Sequence, residues 1–256
     1  LAKFHALTRI LLDRGEIPLD IFGKHIWARN PEMTIKMVTD NAERLVNVMK
    51  TWGDDWQEAT ERFQKALPDF GKRFVEELEA KPEEFSVLCH GDCWTNNMLF
   101  KGDDLENPTS VKFLDLQISA VSTPARDLHY FLTTSVRLEV RKKYKNQLLQ
   151  EYVNTLNSYT SRLQYEGSVP DIDYIKEDLR KKGIFPLELC VSIIQLVTGD
   201  TQDLADLEDV IKAAAEAEKS GKQVDTKSWD LSKVMNPNTV SIIKDVVTDA
   251  VESGTI

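Results

Sequence analysis

Three polar clusters interrupt a sequence that otherwise alternates between helical patterning and short apolar runs. The first is His90-Gly91-Asp92-Cys93-Trp94-Thr95-Asn96-Asn97, the second is Asp115 at the end of an apolar run, and the third is Arg126-Asp127-Leu128. An aspartate followed five residues later by an asparagine places a proton acceptor and an oxygen ligand on one loop. A second aspartate at the end of the next hairpin can add another ligand from across a cleft. Phosphoryl transfer needs these parts, because a hydroxyl nucleophile must give up its proton and Mg²⁺ must be held by hard oxygens against the phosphates. Asp92, Asn97 and Asp115 match that spacing. Taken alone, Asp92 and Asn97 would be a polar turn and Asp127 a helix cap. Asp115 is what turns the turn into a site.

The elements that would hold these residues can be read from periodicity. Residues 1–14 carry Leu1, Phe4, His5, Leu7, Leu11 and Leu12 on one apolar face, and Gly15 follows as a stop. Pro31 opens a helix to about Lys50, with Met33, Met37, Val38, Ala42, Leu45, Val46 and Met49 at helical spacing. Two further helices are expected near 55–66 and 68–80. The pattern then changes. Phe85–Cys89, Asn97–Phe100 and Val111–Leu114 read as three short strands, with hairpin chemistry in Gly102-Asp103-Asp104 and Asn107-Pro108. The predicted order is strand, polar loop, strand, turn, strand, acid, forming one small three-stranded sheet that carries loop 90–97.

Helices return afterwards. Val136 to Tyr165 has a long apolar stripe that includes Tyr144, Leu148 and Leu149. A second segment runs from about Asp171 to Gly183, and Pro186 to Thr198 is apolar nearly all round, the mark of a buried helix. Asp203 to Ser220 reads as a helix and 219–236 as a polar linker, before Asn236-Pro237 caps a last helix. The predicted fold class is therefore α+β and mostly helical.

Composition excludes several functions. The chain has 256 residues and a formal net charge of -10, with no concentrated basic stripe. Such a chain is a poor partner for nucleic acid or anionic membrane. No apolar run approaches the ~20 residues of a membrane span, and the first residues lack the pattern of a signal peptide. Cys89, Cys93 and Cys190 are too few and too odd in number for a disulfide framework, which favours a reducing, cytoplasmic setting. Cys89 and Cys93 bracket His90, but no second ligand pair follows, so they are expected to be free thiols flanking the loop rather than zinc ligands.

The wording of the clusters is more specific than their spacing. His90 to Phe100 (HGDCWTNNMLF), Phe113-Leu114-Asp115-Leu116-Gln117 and Asp127-Leu128-His129-Tyr130-Phe131-Leu132 resemble the insect ecdysteroid kinase-like, or choline-kinase-like, family. That family falls within the wider group of aminoglycoside phosphotransferases, choline kinases and protein kinases. Leu1 to Ala6 resembles its first helix after the hinge, so the resemblance covers nearly the whole chain. It implies a protein kinase-like C-terminal lobe over 1–256, with a catalytic and metal-binding core at 84–116. It implies ATP as co-substrate, Mg²⁺ as cofactor and a small-molecule alcohol, ecdysteroid- or choline-like, as phosphate acceptor. Residue by residue, it implies Asp92 as catalytic base and Asn97 and Asp115 as Mg²⁺ ligands. His90 would orient the loop, and Asp127 would receive its backbone N–H groups. Asp115-Leu116-Gln117 departs from the Asp-Phe-Gly of protein kinases, which argues against a mobile activation segment.

One part of such an enzyme is not found. All eleven glycines are isolated, no Gly-x-Gly occurs, and the 89 residues before His90 read as helices. A β-rich N-terminal lobe that covers ATP is therefore expected to be absent here, and the chain is expected to be a piece of a longer protein. The alternative is a truncated, non-catalytic binding module that keeps the lobe's fold.

Overall fold

The computed structural model describes residues 1–104, 106–198 and 235–256. Its described residues are mostly helical, with two small antiparallel ribbons at the centre of the chain. Helix α1 (Ala2–Asp13) buries Ala2, His5, Ala6, Thr8 and Ile10 on one face. After the short α2 (Leu19–Phe22) comes α3 (Pro31–Met49), which starts as its sequence dictates. Pro31 sits in the first turn, and the Asn30 side chain accepts from the N–H of Met33.

Helix α4 (Gln57–Leu78) departs from the two helices expected, because it runs unbroken through Pro68. A proline inside a helix costs about 3 kcal/mol. Phe63, Phe70, Phe74 and Leu78 all lie buried on one face of α4, and each large apolar side chain contributes roughly 1.5–3 kcal/mol. Continuity therefore wins. Gly71 lets α4 lie directly on α3, since a Cβ there would come 2.3 Å from the carbonyl oxygen of Ile35. Met33 and Met37, expected in the core, are exposed. They lie one position off the buried row of Thr34, Val38, Ala42 and Leu45.

The expected three-stranded sheet is two separate two-stranded ribbons. Strand β1 (Val87–Cys89) pairs antiparallel with β4 (Ala120–Ser122), a strand the sequence reading missed, placing Cys89 opposite Ala120. Strands β2 (Met98–Lys101) and β3 (Ser110–Phe113) form the hairpin, with Met98 opposite Phe113 and Leu99 opposite Lys112. Loop 90–97 thus leaves one ribbon and enters the other.

The remaining helices among the described residues are α5 (Pro124–Thr134), α6 (Leu138–Arg162), α7 (Ile172–Lys181), α8 (Ile184–Ser192), α9 (Ile194–Thr198) and α10 (Pro237–Glu252). Tyr144 and Leu148, expected in the core stripe of α6, are exposed. The single helix expected over 186–198 starts earlier and breaks at Ile193. Asn236 caps α10 as expected, its side chain accepting from the N–H of Thr239. The helix expected at 203–220 and nearly all of the linker at 219–236 lie outside the described residues. Among the described residues two apolar clusters make the core: one joins α3, α4, α8 and α10, and the other joins α1, α5, α6 and α7. Helix α5 contributes to both, because Tyr130 belongs to the first and Leu128 and Leu132 to the second.

Candidate active site

Loop 90–97 is anchored from below by one buried carboxylate. Asp127, in the first turn of α5, accepts from the N–H of His90 at 2.6 Å through Oδ2 and from the N–H of Gly91 at 2.9 Å through Oδ1. His5 Nε2 lies 3.0 Å from the same Oδ2, and His5 Nδ1 lies 2.8 Å from the Tyr152 hydroxyl. Burial lowers the proton affinity of His5, so its imidazole is neutral. Burial works to raise Asp127, but hydrogen bonding to His5, the charge of Arg126 and the Gly91 N–H hold it below the usual carboxylate range. A consistent assignment has Tyr152 donating to Nδ1 and Nε2–H donating to an ionised Asp127.

Gly91 is required twice over. Its φ is +90°, and a Cβ would meet the carbonyl oxygen of Ile118 at 2.4 Å and Arg126 Nη2 at 2.7 Å. Arg126 is buried at this spot and makes long contacts, 3.5 Å each, to the carbonyl oxygens of Gly91 and Ile118. His90, also buried, ties the loop to the end of β3. Its Nδ1 accepts from the N–H of Asp92 at 3.3 Å, and its Nε2 lies 2.8 Å from the carbonyl oxygen of Leu114.

Asp92 and Asn97 meet directly. Asn97 Nδ2 donates to Asp92 Oδ2 at 2.8 Å and to the Asp92 carbonyl at 3.0 Å. The other carboxylate oxygen, Oδ1, accepts from the Tyr130 hydroxyl at 2.5 Å. Both Asp92 and Asn97 are half-buried. Asp115 follows Leu114, whose N–H donates to the Asn97 carbonyl at 2.8 Å. The backbone therefore sets Asp115 beside the loop. Its side chain is exposed, its φ is +60°, and its Oδ2 accepts from Gln117 Nε2 at 3.2 Å. A non-glycine residue held there stores about 1–3 kcal/mol of strain, a state found at functional sites.

The donor pattern fits a hard cation. Asn97 spends its amide N–H₂ on Asp92, and its side-chain oxygen takes no protein donor among the described residues. Asp115 keeps one carboxylate oxygen free of protein donors among the described residues. Two oxygens on neighbouring backbone segments suit Mg²⁺, which takes few protein ligands and completes its shell with water and phosphate.

A second group could hold a metal by distance alone. Ligand atoms of His5, Cys89 and Asp127 lie within 4.8 Å of one another. All three are committed elsewhere, however. Asp127 takes three N–H groups, Cys89 Sγ donates to the Thr123 carbonyl at 3.3 Å, and burial pushes the Cys89 thiol up. All three cysteines are free and buried.

Every residue of this arrangement lies inside the segment 1–165, and that segment matches the sequence model of the ecdysteroid kinase-like family. The chain belongs to that family. No curated protein is detectably similar in sequence. Among solved structures, the choline kinase of Cryptosporidium parvum Iowa II is similar at 13% identity with a TM-score of 0.49, over 99% of this chain and 65% of that one. The chain thus spans about two thirds of the length of that structure. Among the described residues, no helix is long and apolar enough to cross a membrane.

Three contributors escaped the sequence reading, His5, Tyr130 and Ser135, whose Oγ accepts from the N–H of Thr95 at 2.9 Å; Arg126 stood in the third polar cluster without a role. A signal existed for two of them. Tyr130 follows Asp127 by three residues on a helix and so shares its face. A histidine on an apolar helix face, as at His5, needs a buried partner.

Proposed function

We propose that residues 84–116 are the catalytic and metal-binding core of a C-terminal kinase lobe that transfers phosphate from ATP to the hydroxyl of a small molecule. Membership of the ecdysteroid kinase-like family supports the reaction class. The observation that carries the reading is the contact between Asp92 and Asn97, with Asp115 joined to the same loop through Leu114.

In this reading Asp92 accepts the proton of the acceptor hydroxyl as its oxygen attacks. Its carboxylate is already aligned by two donors, which avoids reorganisation at the moment of transfer. Asn97 and Asp115 would hold Mg²⁺, which when bound neutralises charge on the nucleotide phosphates. His90 keeps the loop and the end of β3 in register, and Asp127 fixes the loop backbone. The acceptor is an apolar or choline-like alcohol, and the helices after residue 137 form its side of the cleft.

The test is turnover by the native full-length protein with ATP and Mg²⁺, offered ecdysteroids, choline, ethanolamine and peptides. Phosphorylation of an alcohol that Asp92→Ala abolishes is the expected result. Turnover on peptides alone, or alcohol turnover that survives Asp92→Ala, would sink the reading.

A further inference from the structure

Helix α5 and its C-cap residue Ser135 hydrogen-bond to loop 90–97 through four residues. Arg126 reaches the carbonyl of Gly91, Asp127 takes the N–H groups of His90 and Gly91, and Ser135 takes the N–H of Thr95. These three contacts hold main chain. The fourth, from Tyr130 to Asp92 Oδ1, is the only one of them that holds the carboxylate itself.

We propose that Tyr130 is a positioning residue for phosphoryl transfer, fixing the plane of the Asp92 carboxylate from beneath the loop. The inference rests on the phosphotransferase reading above and adds a residue to it. A carboxylate held by one donor turns freely about its terminal torsion, which is broad and two-fold. Asn97 grips Oδ2 from the loop, and Tyr130 grips Oδ1 from a separate element. Two donors from two elements leave one orientation, and each oxygen keeps a lone pair for the acceptor hydroxyl.

The phenol itself cannot wander. Tyr130 is 3% exposed, and its ring packs against Phe185 of α8 at a centroid distance of 6.3 Å. Burial first, then the hydrogen bond to Asp92 and the negative charges of Asp92 and Glu188, raise its proton affinity. It therefore remains a donor at neutral pH.

Tyr130→Phe keeps the ring and its packing and removes only the donor. A hydrogen bond to a charged group corresponds to roughly a 10- to 100-fold effect. The expected result in the full-length enzyme is kcat lower by about that factor, with KM for ATP and the Mg²⁺ requirement within about twofold of wild type. Unchanged kcat would overturn the proposal. So would a parallel loss of ATP affinity, which would mean that the whole loop had given way.

A second measurement does not depend on activity. A sheltered phenolic proton bonded to a carboxylate should give a slowly exchanging, downfield ¹H NMR resonance. It should vanish in Tyr130→Phe and move upfield in Asp92→Asn. No such resonance, or one indifferent to Asp92→Asn, overturns the contact. If the wild-type protein turns over no alcohol, the phosphotransferase reading fails and the positioning role falls with it, while the NMR experiment still decides the Tyr130–Asp92 bond.

Discussion

His5 Nε2 lies 3.0 Å from Asp127 Oδ2, and neither side chain touches solvent. This contact ties the first helix of the chain to the carboxylate under loop 90–97. Asp127 carries its charge in the interior because three N–H groups and the nearby Arg126 support it. Replacing His5 by leucine removes one of those donors and leaves the Tyr152 hydroxyl without its acceptor. Unsatisfied buried groups of this kind cost about 1–3 kcal/mol each, more where a charge is involved. His5→Leu is therefore expected to lower stability by about 2–4 kcal/mol in urea denaturation. A loss under about 0.5 kcal/mol, the level of an ordinary surface substitution, would show that Asp127 does not depend on it.

Gly91→Ala tests the same loop from above. The new methyl would press on the Ile118 carbonyl, which is backbone and cannot rotate away, and φ of +90° is strained for any L side chain. The loop must move. We expect little or no phosphotransfer from this variant and a melting temperature lower by several degrees. Wild-type turnover in Gly91→Ala would show that the loop tolerates displacement.

That Asp92 meets Asn97, with Asp115 beside the same loop, could be anticipated from the sequence because these residues lie close together in the chain. The helix starts at Pro31 and Pro237 were legible for the same reason, since a cap and a proline act within one turn. What could not be read depends on distant partners. Three-residue β4 has no periodicity to detect and exists because β1 pairs with it. The passage of α4 through Pro68 is decided by burial against other helices. Met33 and Met37 have the same apolar character as Met49, yet only Met49 falls on the side of α3 that is covered. Tyr130 stood in the sequence only as part of the run Asp127 to Leu132, and only the fold shows its hydroxyl meeting Asp92.

Buried histidines give the protein an acid-sensitive side. Burial lowers His129 to about 4 and His25 to about 2, and it also lowers His5. An unfolded histidine binds its proton near pH 6.5. Between that pH and the folded value, the unfolded state binds more protons, so stability falls as pH drops. Asp178, raised to about 6 by burial, works the other way within this window. A single substitution separates the two. His129→Gln keeps a donor for the Leu179 carbonyl, which lies 2.9 Å from Nε2 in the wild type. Its stability relative to wild type should rise by about 1–3 kcal/mol between pH 7 and pH 4. A pH-independent difference would mean that His129 binds its proton as readily in the folded protein as in the unfolded chain.

Glu77 predicts the opposite slope at the alkaline side. Burial raises its carboxyl to about 8, against hydrogen bonds from the N–H groups of Ile184 and Phe185 and the charge of Arg73. A raised carboxyl stabilises the fold while protonated, and that contribution is lost as pH rises from about 4.5 through the folded value. Glu77→Gln keeps an oxygen for the Ile184 N–H, which donates to Glu77 Oε2 at 2.9 Å. The variant should melt close to wild type at pH 5 and several degrees higher at pH 9. Equal melting at both would place the ionised carboxylate in solvent.

Asp115 allows charge and backbone strain to be separated. Its φ of +60° lies in the left-handed region, where asparagine is several-fold enriched and alanine is disfavoured. Asp115→Asn should therefore preserve the fold and the turn while removing the negative charge proposed to face Mg²⁺. Asp115→Ala should remove the ligand and add about 1 kcal/mol of backbone cost. The two variants should show similar, large losses in phosphotransfer, about 100-fold or more, as expected when a preorganised charge contact is removed. Only the alanine variant should melt lower. The Mg²⁺ concentration giving half-maximal rate should rise in Asp115→Asn, since one of two protein ligands has lost its charge. An asparagine variant with wild-type rate and wild-type Mg²⁺ dependence would remove Asp115 from the metal site and leave its strained backbone without a catalytic reason.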